Sequence, residues 1–197
     1  DIGLSIQSVS LAKKYFFGVE GMYIFGNDVN EDVLAQLRTY DGSIIGIDGK
    51  SGDINLKERG FYIGINAGKI FPTTSNAKKL TGVRLQLGGG LLQHKIRVQD
   101  NTQNVVPLEK KYLHGYDRLT NGPAFHLGLG YQYQSPTNNF QFHVMGDLYG
   151  ASTASRRDLD YANGAYLDKT RTDLLGGISV AYIVVISRAA KPENIYY

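Results

Sequence analysis

The segment YFFGVEGMYIF (15–25) alternates without a break. Tyr15, Phe17, Val19, Gly21, Tyr23 and Phe25 fall on one face; Phe16, Gly18, Glu20, Met22 and Ile24 fall on the other. Successive side chains of a β-strand point to opposite faces, so this period of two reads as a strand with one apolar face and one mixed polar face. The same pattern returns at 61–71, where Phe61, Ile63, Ile65 and Ala67 oppose Tyr62, Gly64, Asn66 and Gly68. It recurs at 83–91, with Val83, Leu85, Leu87, Gly89 and Leu91 against Arg84, Gln86, Gly88 and Gly90. At 125–133, 140–148 and 174–186 the polar faces carry His126 and Gln132, then Gln141, His143 and Asp147, then Ser179. A weaker repeat sets Ile2, Leu4 and Ile6 against Gly3, Ser5 and Gln7, bringing the expected number of strands to seven.

Alternation alone fits a soluble sandwich or a lipocalin-like barrel as well as a membrane barrel. Two features favour the membrane. The polar faces set glycine beside bulky charged groups, as in a narrow enclosed interior; glycine on a solvated strand face only weakens it. Aromatic residues (Tyr15, Phe25, Phe71, Tyr131, Tyr133, Phe140) gather at the ends of the apolar faces, where aromatic girdles of outer-membrane barrels lie. Short links at 11–14, 72–79 and 135–138 alternate with long ones at 27–58, 100–121 and 151–169, as short periplasmic turns alternate with long external loops. The expected fold is therefore an all-β, eight-stranded antiparallel transmembrane β-barrel over 1–187, followed by a periplasmic tail, 188–197. Single-chain bacterial barrels have even strand numbers, so the first strand is expected ahead of Asp1.

The composition excludes several classes. Of 197 residues 42% are hydrophobic and 20% charged, with a net charge of +3, which rules out a disordered polyelectrolyte and gives no basis for nucleic-acid binding. The absence of cysteine removes disulfides, thiolate zinc sites and cysteine nucleophiles. No apolar run reaches the ~18 residues of a membrane-spanning helix. The four histidines, His94, His114, His126 and His143, show neither HExxH nor His-x-His spacing, and the outward faces offer no serine–histidine pair for lipase chemistry. No enzyme, metal or cofactor is expected.

An eight-stranded interior is filled by side chains, and buried ions must find partners. Arg84 is therefore expected to meet Glu20 or Asp147, with Gln86, His126, Gln132, Gln141 and His143 completing an internal network. In the first long loop, Asn30 precedes a run (31–39) with Val33, Leu34 and Leu37 at helical spacing, and a short external helix over the barrel mouth is expected, with an irregular lid as the alternative. YDGSIIGIDGK (40–50) carries Asp-Gly turn signals for a small hairpin. Basic residues near the external ends, among them Arg59, Arg97, Lys110, Lys111, Arg156 and Arg157, are candidates for contact with lipopolysaccharide phosphates. The tail ends in a polar stem with two tyrosines, so Lys191, Pro192, Asn194, Ile195, Tyr196 and Tyr197 are candidate partner contacts.

Several stretches carry a resemblance: GVEGMYIFGNDVNEDVLAQLRT (18–39), ERGFYIGINAGKIFP (58–72), GLLQHKIRVQD (90–100), HGYDRLTNG (114–122), SRRDLDY (155–161) and RTDLLGGISVAYIVV (171–185). Together they resemble the PorG-type outer-membrane proteins of the type IX secretion system of Bacteroidota, machinery also tied to gliding motility. The resemblance implies a non-catalytic barrel that connects the outer membrane to a periplasmic ring of PorK/PorN or GldK/GldN type. A stand-alone surface barrel of the OmpA or OmpX kind, acting through external loops, is the competing reading.

Overall fold

The computed structural model describes residues 1–27, 29, 32–73, 79–135, 140–157, 159–161, 164–166 and 170–186. The strands are β1 (Ile2–Val9), β2 (Tyr15–Gly26), β3 (Ile54–Pro72), β4 (Gly82–Asp100), β5 (Thr120–Gln134), β6 (Gln141–Ser155), the two short strands β7 (Leu159–Asp160) and β8 (Ala165–Tyr166), and β9 (Thr170–Tyr182). β1 to β6 and β9 form one seven-stranded sheet in sequence order, each strand antiparallel to the next; β7 and β8 make a separate hairpin. The fold is thus all-β, and the seven expected strands are present. They run further toward the long connections than the alternation indicated: β3 starts at Ile54, and β6 continues to Ser155. β9 stops at Tyr182, short of Ile186.

The two faces reverse the usual distribution of a water-soluble sheet. Ile65, Leu87, Leu129 and Ile178 stand 56%, 59%, 58% and 83% exposed, whereas Arg84 on the opposite face is 2% exposed. Exposed apolar surface on this scale marks a contact with something other than water. The sheet is rolled, so that distant strands meet across its inner face. Glu20 of β2 reaches His126 of β5, Gln7 of β1 reaches Arg84 of β4, and His94 of β4 reaches Asp173 of β9. Each pair lies three strands apart, a separation of about 14 Å in a flat sheet. β1 and β9 are the two edges, and both line one cleft of about 360 Å³ that opens into the interior.

The connections at the ends of β3 and β4 hold a second core, in which Val33, Leu34, Ile44, Val98, Val105, Leu108 and Tyr116 pack together. The helix expected over 31–39 reduces to one 3₁₀ turn, Ala35–Leu37, with no side-chain cap. Asn30 and Glu31 lie outside the described residues. Asp32 accounts for the shortening: its Oδ1 accepts the Leu34 N–H at 3.1 Å, a local bond that competes with helix, and its carboxylate draws back Arg38. The hairpin expected over 40–50 is present in small form, as a single bridge between Ile45 and Ser51. Its Asp-Gly signals mark real turns, since Gly42 and Gly49 adopt φ of 82° and 74°, a region that favours glycine.

Candidate functional site

Seen from the short-link end upward, the inner face is layered. Phe16, Ile70 and Leu80 form an apolar floor. Above it Arg84 donates to the side-chain oxygens of Gln132 (2.8 Å), Gln7 (2.6 Å) and Gln86 (3.0 Å), and its guanidinium lies 3.7 Å from the Phe16 ring centroid. The five N–H donors of a buried guanidinium need several acceptors; three glutamines meet the two Nη groups and the Phe16 face stacks on the plane, while Nε is buried without a hydrogen-bond partner among the described residues. Gln86 and Asn66 each donate to Glu20 Oε2 at 2.8 Å.

His126 sits at the centre of the next tier. Nδ1 lies 2.8 Å from Glu20 Oε1 and Nε2 lies 2.9 Å from Asp147 Oδ1, while the ring stacks on Tyr149 at 4.1 Å. Ser179 of β9 also donates to Asp147. An ionised carboxylate only accepts hydrogen bonds, so both contacts are satisfied together when the ring carries a proton on each nitrogen. Two acids and two cations (Glu20, Asp147, Arg84, His126) then balance. Glycine makes room for this tier: a methyl group on Gly88 would come within 3.0 Å of Glu20 Oε1 and of the Ile65 carbonyl. An apolar tier follows (Ile24, Tyr62, Leu92, Ala151), and above it a second polar group in which His94 meets Asp173 at 3.0 Å and Glu58 at 3.5 Å, with Arg171 on Asp173.

The structure therefore brings Glu20, Arg84, Gln86, His126, Gln132 and Asp147 into one network, with different pairings from those expected. Arg84 hydrogen-bonds to neither carboxylate; it holds glutamines, and the histidine bridges the acids. Gln141 and His143 also face inward, yet Gln141 Oε1 and His143 Nδ1 are buried with no hydrogen-bond partner among the described residues. Gln7, Asn66, Tyr149 and Ser179 belong to the network without having been singled out, although the inward parity of their strands already marked them. The His94 group was missed because it lies on strand ends beyond the clearest alternation.

The outer connections are tied to one another by charge. Arg157 pairs with Asp117 at 2.6 Å and Arg118 with Asp160 at 2.8 Å, joining the 101–119 and 156–169 connections. Asp100 closes the end of β4. Burial works to raise its carboxyl, but donors from the Thr102 hydroxyl and the N–H groups of Val105, Thr102 and Gln103 outweigh it and hold the group below the usual carboxylate range. Of the basic candidates, Arg157 is thus committed to Asp117, Arg156 donates to Asn121 and Lys111 pairs with Glu109, while Lys110 lies in the same connection. Arg59 and Arg97 sit on the outward face of β3 and β4. The tail candidates Lys191, Pro192, Asn194, Ile195, Tyr196 and Tyr197 lie outside the described residues. No group of three or more His, Asp or Glu side chains among the described residues is arranged to hold a metal ion.

Comparison of the chain with family models, with curated proteins and with solved structures returned no match.

Proposed function

We propose that this chain is a non-catalytic outer-membrane β-barrel that anchors the periplasmic lipoprotein ring of a type IX secretion system. The observation that carries the membrane part is the rolled sheet with large apolar side chains outside and balanced ions inside. On β3 the outward apolar run is bracketed by Arg59 and Lys69; ten residues at strand rise and barrel tilt span roughly 25 Å, the height of the apolar band of an outer-membrane barrel.

Strand direction supports closure into a barrel. Because neighbours alternate, β1 and β9 run the same way, so one further strand lying antiparallel to both completes an eight-stranded barrel. The cleft lined by both edges lies where such a strand would complete the barrel. Filled by the layers described above, such a barrel offers a folded secreted protein no passage, and tethering suits it better than translocation.

The ring as partner rests on the resemblance of the quoted segments to PorG-type proteins, and the tail and short links are the surfaces that face the periplasm in this orientation. Removal of 192–197 is expected to abolish or sharply reduce recovery of the PorK- or GldK-type ring lipoprotein in a detergent pull-down from native membranes. Undiminished recovery would remove the tail from the interface. The folded outer cap favours the second reading, a stand-alone surface barrel. In that case exchanging the outer connections would abolish function and deleting the tail would not.

A further inference from the structure

Four cations face one another on the outer surface of a single hairpin. In the β3–β4 ladder Lys57 lies directly opposite Arg97, and Arg59 directly opposite Lys95. All four share the face of Phe61, Ile63 and Leu91, which are exposed and apolar. Like charges directly opposed across a ladder are unfavourable, so the pairing gains nothing for the fold itself. None of the four has an ion pair among the described residues. Lys57 donates to Gln99 at 3.3 Å, and Arg59 leans on the Gly26 and Glu58 carbonyls. Glu58, the nearest acid in sequence, points inward to His94.

The height of the cluster identifies what meets it. Arg59 pairs with Phe25, and the next outward pair is Tyr23 with Phe61, so the cations begin where the aromatic edge of the apolar band ends. They point sideways, as the band does, away from the capping connections. A group that neutralises them must therefore be anionic, lie at the level of lipid headgroups and approach laterally.

We infer that Lys57, Arg59, Lys95 and Arg97 form a binding site for the phosphorylated headgroup of outer-leaflet lipopolysaccharide. The inference rests on the outer-membrane reading and assigns it a specific lipid. Guanidinium groups match phosphate oxygens in bidentate geometry, and the two lysines add point charges beside them. The cap cations do not share the site: Arg157 and Lys111 are already paired within the connections.

The test compares the full chain with K57Q/R59Q/K95Q/R97Q in detergent and in vesicles, using purified lipid A as the probe. The quadruple variant is expected to bind lipid A on the order of a thousandfold more weakly, given the attraction of each cation near an anionic leaflet. Dephosphorylated lipid A is expected to bind both proteins equally weakly. In lipid-free detergent the variant is expected to unfold no earlier than the parent, since the repulsion it sheds offsets the hydrogen bonds of Lys57 and Arg59 that it loses. Equal lipid A affinity of parent and variant, or parent affinity for phosphatidylglycerol vesicles matching that for lipid A, would overturn the site. Earlier unfolding of the variant would make the cations structural and overturn it too. Failure of the parent chain to insert into vesicles at all is a separate result, and it would sink the membrane reading rather than this site alone.

Discussion

Replacing His126 with leucine is expected to destabilise the folded chain by about 3–5 kcal/mol, the range for leaving a buried charge without its partner. Leucine fills a similar volume against Tyr149 and Tyr62, so packing changes little. What is lost is the group that, among the described residues, hydrogen-bonds to both Glu20 and Asp147. The effect should therefore be electrostatic and reversible by chemistry: adding Glu20→Gln and Asp147→Asn to His126→Leu is expected to recover most of the loss, because neutral amides need no cation. Urea unfolding of the detergent-folded protein, followed by loss of its compact electrophoretic form, reads the difference. A His126→Leu variant as stable as the parent would contradict the network. A triple variant no better than the single one would mean that ring shape, not charge, is what matters.

The second large effect lies on the opposite face. Leu87 sits midway along the outward apolar run of β4, between Val83 and Leu91. Leu87→Arg is expected to cost about 2–4 kcal/mol in lipid vesicles, whereas Gln93→Arg, beside the cationic end of the same face, should cost about 0–1 kcal/mol. The gradient with depth is what lipid imposes. A sheet facing water would accept both substitutions with small and similar penalties, and that pattern, measured by unfolding in vesicles, would contradict the orientation.

These two expectations draw on different amounts of sequence information. The outward face was legible because a period of two needs only local residue order: Phe17, Ile65, Leu87 and Leu129 all stand where the alternation put them. Membership of the interior was legible for the same reason, since Arg84, Gln86, Glu20, His126, Gln132 and Asp147 share inward parity. The pairing was not. Which strands meet across a rolled sheet depends on register and on curvature, neither of which alternation encodes. Charge matching pointed to Arg84 with a carboxylate, yet the register puts Gln7, Gln86 and Gln132 around the guanidinium and His126 between the acids. The outer cap was half legible. Val33 and Leu34 were recognised as apolar anchors, but Asp32 turned the expected helix into a single 3₁₀ turn. Ion pairs such as Arg157–Asp117 join loops distant in sequence, and no local signal announces them.

The account rests on the apolar face meeting lipid. The chain contains no cysteine, so single substitutions provide clean reporters. Leu87→Cys and Leu129→Cys in native membranes are expected to resist a water-soluble maleimide until detergent is added. Tyr40→Cys, at a fully exposed position of the outer connection, should label at once. Rapid labelling of Leu87→Cys and Leu129→Cys without detergent, with the chain recovered in the soluble fraction, would contradict the account.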